Sequence, residues 1–170
     1  MSQYITTFSP TTGASIFSSK LPDPLHAHPI PLGKITYLYT THTPPNLSTE
    51  ADIDTYLTDR ENGLPPTSPV PPGGTNASLI ELAPGAATPV RRTITVGVFR
   101  VLKGIVRLML DSGEERVLKE GDVVVIRGAK HTWRNETEGE GEQGWAKLMV
   151  FAMSVKDFEV NGKQVEAEWL

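Results

Sequence analysis

Short apolar runs with alternating polar positions dominate the chain from residue 75 to residue 155. They are rich in Val, Ile and Leu and are separated by turns at Lys103-Gly104, Asp111-Ser112-Gly113 and Lys119-Glu120-Gly121-Asp122. A period of two puts alternate side chains on opposite faces of a strand. Many short strands at this spacing predict an all-β sandwich or barrel.

The pattern predicts nine strands and one helix. The predicted strands cover residues 14–18, 34–41, 76–82, 89–102, 105–110, 115–118, 122–126, 131–135 and 144–155. A helix is predicted at about 48–60, because Ile53, Tyr56 and Leu57 form an i, i+3, i+4 stripe and Ser48 or Thr49 can cap its start. A turn is predicted at Asn161-Gly162.

Prolines divide the first 74 residues and exclude long helices or central strands from most of that region. We expect residues 1–74 to form an arm, the short helix and a proline-rich loop at 63–74 that crosses the barrel mouth. Residues 75–170 are expected to form the barrel core and a C-terminal tail. At 170 residues, the whole chain is predicted to be one domain.

Composition excludes several classes of function. The chain has no cysteine, which excludes disulfides, thiolate nucleophiles and cysteine-ligated metal centres. Its net charge of −4 and the absence of a basic cluster argue against nucleic acid as a partner. No apolar run is long enough for a membrane span, and no secretory leader is recognisable. A cytoplasmic protein is expected.

Two sequence motifs point to a known family. In the first, Gly121 is followed by DVVVI, by Arg127-Gly128-Ala129-Lys130, and then by His131 and Asn135. In the second, Gly85 and Gly104 frame a segment of matching length. These motifs resemble those of the cupins, and particularly the small single-domain cupins of fungal secondary metabolism. The resemblance implies a double-stranded β-helix, or jelly-roll barrel, around a central cavity, and a homodimer paired through strands at the barrel edge.

The cupin resemblance also implies four metal-ligand positions, and this chain keeps one of them. His131 matches the histidine of its motif, whereas Arg91, Thr93 and Gly97 stand where the family has two histidines and a glutamate. Arginine is not a metal ligand, since it stays protonated. We therefore predict no metal and no cofactor. The pair His26 and His28 is interpreted as surface or loop residues.

Strand alternation, in the cupin register, points seven residues into the barrel: Arg91, Thr93, Gly97, Phe99, Val101, His131 and Trp133. Arg91 is interpreted as an anchor for a ligand anion, with a salt bridge to an internal acid or exposure at the barrel mouth as the alternatives. His131 is interpreted as an acid or base, with an inert scaffold histidine as the alternative.

The remaining predicted ligand contacts are a hydroxyl and apolar walls. Thr93 would form a hydrogen bond, and Phe99, Trp133, Val101, Tyr37 and Tyr39 would contact the ligand, although aromatic residues in small barrels more often pack the core. We predict a metal-independent enzyme that decarboxylates, dehydrates, isomerises or cyclises a small anionic metabolite. The alternatives are a non-catalytic binding protein and, less favoured, a metal-dependent dioxygenase.

Overall fold

Backbone hydrogen bonds join most of the strands into two antiparallel sheets. The computed structural model describes residues 1–21, 24–65 and 68–169. Pro22 of the arm, Pro66 and Thr67 of the proline-rich loop, and Leu170 of the tail lie outside the described residues. The strands are β1 (Thr6–Phe8), β2 (Ser15–Phe17), β3 (His28–Ile30), β4 (Gly33–Thr41), β5 (Thr75–Leu82), β6 (Arg91–Arg92), β7 (Thr95–Lys103), β8 (Ile105–Leu110), β9 (Glu115–Lys119), β10 (Val123–Arg127), β11 (His131–Asn135), β12 (Ala146–Ser154), β13 (Glu159–Val160), β14 (Lys163–Gln164) and β15 (Glu168–Trp169).

The larger sheet has the order β10-β7-β12-β5-β4-β3, and the smaller has the order β15-β6-β11-β8-β9. Two hairpins, β1-β2 and β13-β14, stand apart from them. The core lies where the two sheets face each other and includes Leu82, Val101, Val106, Leu108, Ile126, Trp133, Leu148 and Val150. The predicted all-β cupin architecture is confirmed.

The predicted strand at 89–102 is divided in two. Residues 91–92 pair with β11 in the smaller sheet, whereas residues 95–103 pair with β10 and β12 in the larger sheet. Thr93 and Ile94 form the bend between them. Sandwich corners of this kind, where a strand changes sheets, need a break in the backbone pairing that residue type alone does not reveal.

Helix α1 (Ala51–Asn62) lies against β4 and buries Ile53 and Tyr56. The cap position is one residue later than predicted: the helix starts after Glu50, whose side chain forms no cap bond. The Thr49 hydroxyl accepts from the Ala51 amide at the long distance of 3.5 Å. Asp52 instead accepts a hydrogen bond from the Tyr39 hydroxyl, and Asp54 pairs with Lys20. The first-turn acids therefore fasten the helix to β4 and to the N-terminal arm.

The proline-rich segment between α1 and β5 reaches the core. Val70 is buried within the core cluster, and the Asn76 side-chain amide donates to the Pro69 carbonyl at 2.7 Å. Farther along the chain, Asn161 and Gly162 both have positive φ, as the predicted turn requires. After that turn the tail returns, and β15 pairs with β6. The sequence pattern did not predict this last strand.

Asn135 ties three segments together. Its side-chain amide nitrogen contacts the carbonyl oxygens of Leu82, Ala83 and Gly144 at 2.8–3.0 Å, and its Oδ1 accepts from the Thr137 amide. The residue is 2% exposed. If Asn135 is removed, these buried carbonyls lose their donor but are still withdrawn from water, which destabilises the folded state.

We expect Asn135→Ala to lower the free energy of unfolding by about 2–4 kcal/mol, measured by urea denaturation, because several buried polar groups lose their partner together. Arg134→Ala, at the exposed neighbouring position, is the matched control and should change stability by less than about 0.5 kcal/mol. Equal effects of the two substitutions would contradict this role for Asn135.

Candidate functional site

Adjacent strands of the smaller sheet bring a cation, an imidazole and an indole into one row. Trp169 pairs with Arg91, Arg91 pairs with His131, and His131 pairs with Leu110. Residues opposite one another in an antiparallel sheet point to the same face. His131 is 3% exposed and Trp133, two residues along the same strand, is 1% exposed. The row therefore faces the interior between the sheets.

Arg91 is held beside an aromatic ring. Its guanidinium carbon lies 5.8 Å from the centroid of the Trp169 ring, within cation–π distance. Among residues 1–21, 24–65 and 68–169, no carboxylate lies within ion-pair distance of it. Burial lowers the pKa of Arg91, but a guanidinium stays protonated at neutral pH. The interior row thus contains a positive charge that no described acid neutralises.

The acid nearest to Arg91 in the sequence of β15, Glu168, forms ion pairs with other residues. Glu168 precedes Trp169 and binds Arg92 at 3.0 Å and Lys130 at 2.6 Å. These contacts lower the pKa of Glu168, chiefly through the hydrogen bond from Lys130. The two ion pairs fasten β15 to the edge of the smaller sheet. They therefore also keep the Trp169 ring against Arg91.

His131 has one bonded and one unbonded ring nitrogen. Nδ1 lies 2.8 Å from the Ala129 carbonyl oxygen. A carbonyl only accepts, so Nδ1 carries the proton and Nε2 presents a lone pair. Nε2 is buried and has no hydrogen-bond partner among the described residues. Burial lowers the pKa of His131, and the charge of Arg91 adds to this effect. At neutral pH the imidazole is a neutral proton acceptor.

Aromatic rings surround this imidazole. The His131 and Trp133 rings meet edge to face at 6.3 Å, and the Phe99 and Trp133 rings lie 5.4 Å apart. The indole N–H groups of Trp133 and Trp169 are buried, and neither has an acceptor in the described part of the chain. The interior set therefore comprises a guanidinium and two indole donors, with one imidazole acceptor.

The residues present do not fit the metal that the cupin resemblance implies. Gly97 stands at the position of the motif glutamate, and a Cβ added there would lie 2.7 Å from the Phe99 ring. The Phe99 ring thus occupies the space that a ligand side chain at position 97 would need. Within the described ranges, no group of three or more His, Asp or Glu side chains is arranged to hold a metal ion.

The other predicted contact residues lie at different distances from this row. Val101 is buried on the inner face of β7 opposite Leu148. Thr93 lies in the bend after β6, and its hydroxyl bonds to that of Thr95 at 2.8 Å. The structure brings Arg91, His131, Phe99 and Trp133 together, with Val101 and Thr93 on the adjoining strand and bend.

Tyr37 and Tyr39 instead contact the helix and the loop after it. The Tyr37 hydroxyl accepts from the Leu64 amide at 3.0 Å. The Tyr39 hydroxyl donates to Asp52, and its ring lies 5.2 Å from that of Tyr56. The structure thus shows these two tyrosines in structural contacts of β4, and it shows no ring contact between them and the His131 cluster.

The histidines of the arm also have local partners. His28 bonds to the Arg60 carbonyl at 2.6 Å, and His42 lies 2.9 Å from the Asp59 carboxylate. His26 is exposed beside the ring of His28. These contacts join the arm to helix α1. The interpretation as a surface or loop residue holds for His26, whereas His28 is half-buried on β3 and pairs with Ile35 of β4.

Sequence reasoning missed Trp169. The only signal was a large aromatic residue near the end of a polar tail, and strand alternation there is too weak to fix its direction. Pairing of β15 with β6 decides its position. Because this pairing is between segments 76 residues apart, no local pattern encodes it.

Two surface depressions of about 260 and 270 Å³ lie away from the row. One is lined by residues between Thr41 and Thr55, and the other by residues that include Thr95, Gly128 and Phe158. The inward nitrogens of His131, Trp133 and Trp169 have almost no accessible surface. Strand β15 pairs beside Arg91 in the smaller sheet, and its Trp169 ring lies 5.8 Å from the guanidinium carbon.

Comparison with known proteins agrees with the fold and the motifs. Residues 78–146 match the family described as cupin domain. The chain is 34% identical over 154 residues to phomopsin biosynthesis cluster protein C' of Diaporthe leptostromiformis, covering 89% of this chain and 78% of that protein. It is 32% identical over 165 residues to oryzines biosynthesis cluster protein J of Aspergillus oryzae, covering 96% and 88%. This chain belongs to the cupin family, as its motifs predicted.

The chain is also similar to a second kind of relative and to a solved structure. Over 127 residues the chain is 35% identical to the cupin-domain-containing oxidoreductase fogC of Aspergillus ruber, covering 75% of this chain and 59% of that protein. The Cnp3 cupin domain of Schizosaccharomyces pombe superposes with a TM-score of 0.51 at 12% identity, covering 91% and 90%. That second likeness shows the fold alone. Separately, no helix in the described ranges has the length and apolar character of a membrane span.

The lowered pKa of His131 predicts a pH-dependent stability. The unfolded chain takes up a proton at His131 as pH falls through about 6.5, whereas the folded state resists protonation. The contribution of neutral His131 to the free energy of unfolding is therefore complete above that pH and is lost as pH falls toward the pKa of His131 in the folded state. The free energy of unfolding then changes by at most about 1.4 kcal/mol per pH unit.

We expect His131→Gln to reduce the fall in unfolding free energy between pH 7.5 and pH 5, measured by urea denaturation at each pH. His26→Gln, at an exposed position, is the control and should keep the wild-type slope. An unchanged slope in His131→Gln would show that the folded protein already accommodates a charged imidazole.

Proposed function

We propose that this chain is a metal-independent cupin that binds a small anionic organic metabolite beside Arg91 and uses His131 as a proton acceptor. The observation that carries the proposal is the inner row itself. It pairs an arginine that has no described carboxylate partner with an imidazole whose Nε2 is buried and unbonded. Buried polar groups in proteins are nearly always satisfied, so this combination points to a missing partner.

The ligand chemistry follows from the donors. A guanidinium in a water-poor interior favours a carboxylate, an enolate or a phenolate, and the indole N–H groups of Trp133 and Trp169 add neutral donors. The rings of Phe99 and Trp133 provide apolar walls of the kind that planar ligands contact. A small organic acid or polyketide-type metabolite fits this set.

The reaction class follows from the protonation state of His131. A neutral imidazole accepts a proton, so the first step takes a proton from carbon next to a carbonyl group onto Nε2. The electron pair of the C–H bond forms a C=C bond while the π pair of the carbonyl moves to its oxygen, where the guanidinium of Arg91 stabilises the enolate. Return of the proton from the imidazolium to another carbon completes an isomerisation, and its transfer to a β-hydroxyl that leaves as water completes a dehydration. In a ring closure the enolate carbon attacks a second carbonyl of the ligand, whereas a decarboxylation forms the enolate by loss of CO₂ and needs a proton donor in place of the base.

The relatives support a metabolite as the ligand, because two of them carry the names of biosynthesis clusters. A relative named as an oxidoreductase supports an alternative, oxidation of the metabolite. Such a reaction needs an electron acceptor, and the motif positions of this chain do not supply a metal-ligand set. Stoichiometric iron, manganese or nickel bound at His131 in the purified protein would contradict the metal-independent proposal.

The anion anchor is tested with two matched probes, benzoate and neutral benzamide, by isothermal titration calorimetry. We expect the wild-type protein to prefer benzoate. In Arg91→Gln the benzoate affinity should fall about 10- to 100-fold, the usual effect of losing a charge-assisted hydrogen bond of about 1.5–3 kcal/mol. Benzamide affinity should change little.

Arg134→Gln is the matched control, because Arg134 lies on the same strand as His131 but is exposed. It should bind benzoate like the wild type. If Arg91→Gln and Arg134→Gln bind benzoate equally well, or if the wild type does not distinguish the two probes, Arg91 is not an anion anchor.

Proton transfer is tested by NMR, following deuterium incorporation next to the carbonyl of 2-oxobutanoate in D₂O. We expect the wild type to accelerate this exchange and His131→Gln to lose about 10²- to 10⁴-fold of the acceleration, as for one positioned base. Affinity for benzoate should remain within about threefold of wild type, because the anchor is intact.

The same experiment separates an enzyme from a binding protein. Benzoate binding that depends on Arg91, without exchange above the uncatalysed rate, would support the non-catalytic alternative. Exchange that persists in His131→Gln would place the base elsewhere.

A further inference from the structure

Two buried ring nitrogens of strand β11 are complementary, yet they are not bonded to each other. Nε2 of His131 is an acceptor without a donor, and Nε1–H of Trp133 is a donor without an acceptor, among the residues that the structure describes. The two residues are only 3% and 1% exposed. Their rings meet edge to face, with centroids 6.3 Å apart and an interplanar angle of 86°. An unpaired acceptor and an unpaired donor therefore lie close together in the barrel interior.

Neighbouring contacts fix both rings. Nδ1 of His131 donates to the Ala129 carbonyl at 2.8 Å, which leaves the lone pair on Nε2. The Trp133 amide donates to the Thr88 hydroxyl at 2.9 Å, and the Trp133 carbonyl accepts from the Thr88 amide at 2.8 Å. The indole packs on the Phe99 ring, with centroids 5.4 Å apart. Within the described ranges, the ring N–H is thus the polar group of Trp133 that lacks a partner.

A single hydroxyl group satisfies both nitrogens. Its oxygen accepts from the indole N–H of Trp133, and its proton is donated to Nε2 of His131. A carboxylate or a ketone only accepts, so it would leave the imidazole without a donor. The 6.3 Å between the ring centroids is close to two hydrogen-bond lengths of about 2.9 Å, the span that one bridging oxygen covers. Buried polar groups are nearly always satisfied, so this pair indicates a partner that both donates and accepts.

We propose that the ligand of the interior site carries a hydroxyl group that bridges Nε2 of His131 and Nε1–H of Trp133. This inference rests on the proposed function, in which Arg91 holds the anionic group of the same ligand. Arg91 pairs with His131 across the strands, whereas Trp133 lies two residues farther along β11. The anion and the hydroxyl are therefore held at different points of the sheet. Trp133 is then a specificity-determining residue, because a site built to bond a hydroxyl rejects the analogue that lacks it.

A hydroxyl in this position is also a leaving group, which favours dehydration of a β-hydroxy carbonyl compound. Nε2 of His131 takes the proton from the carbon between the carbonyl and the hydroxyl-bearing carbon, and the enolate forms. The carbonyl then forms again, and the C=C pair of the enolate moves to make the new C=C bond. The C–O bond breaks, and its electron pair leaves with the oxygen. The imidazolium gives its proton to that oxygen, which departs as water, and the N–H of Trp133 stabilises it as charge develops.

The hydroxyl is tested with matched ligands by isothermal titration calorimetry. Benzoate is compared with the three monohydroxybenzoates and with the methoxybenzoates substituted at the same positions. We expect one hydroxybenzoate to bind the wild type about tenfold more tightly than benzoate, as for one buried hydrogen-bonding group. Its methoxy counterpart accepts but cannot donate to His131, and should bind no more tightly than benzoate. In Trp133→Phe the preference for the hydroxybenzoate should fall to within about twofold.

Trp145→Phe is the matched control, because Trp145 is half-buried and its ring contacts Lys34. It should keep the wild-type preference. The preference compares two affinities within one variant, so a partial loss of folded protein does not change it. Equal binding of benzoate and all three hydroxybenzoates by the wild type would overturn the proposal and indicate a bridging water. A preference that persists in Trp133→Phe would also overturn it. Benzoate binding that does not depend on Arg91 would instead overturn the anion anchor, so the two failures are distinguishable.

The reaction is tested by NMR with 4-hydroxy-2-oxobutanoate, which is 2-oxobutanoate with a hydroxyl group on the β carbon. We expect the wild type to release water and produce the vinyl protons of 2-oxobut-3-enoate. Trp133→Phe should slow this reaction about tenfold but keep deuterium exchange of 2-oxobutanoate within about threefold of wild type, because removal of the C–H proton does not use the indole. Equal losses in both reactions would reduce Trp133 to a structural role. Deuterium exchange without any vinyl product would overturn the dehydration.

Discussion

The interior of this cupin depends on how one short strand is held. Strand β6 consists of Arg91 and Arg92 and is hydrogen-bonded to β11 on one side and to β15 on the other. Strand alternation then sends Arg91 inward. A guanidinium that is withdrawn from water in part, as Arg91 is, is costly unless something compensates its charge. The Trp169 ring offsets part of that cost, typically about 0.5–2 kcal/mol for a cation–π contact.

Two inward-facing positions on β7, Gly97 and Phe99, give the barrel interior an apolar lining. The cupin motif would place a carboxylate at position 97, where this chain has glycine, and the Phe99 ring fills the space above it. The Phe99 ring in turn packs on Trp133, which meets His131. One histidine therefore remains in an aromatic environment. Burial in that environment lowers the pKa of His131 and keeps the imidazole neutral at neutral pH.

The same strands serve both sides of the larger sheet. On β7, Gly97, Phe99 and Val101 point inward while Val98 and Arg100 point outward. Strand β12 repeats the arrangement, with Val150 inside and Phe151 outside.

The sequence by itself determined the fold class, the boundaries of most barrel strands and the absence of a cupin metal-ligand set. Those properties depend on alternation, turn residues and residue identity, which are local. It also placed His131 and Arg91 on the inner face through the cupin register. Only the tertiary structure showed that the predicted strand is interrupted after Arg92 and that the Trp169 ring lies against Arg91. It also showed that Tyr37 and Tyr39 contact helix α1 and the loop after it. Each of these depends on pairing between distant segments, and pairing of that kind is set by packing of the whole barrel and not by the pattern within one strand.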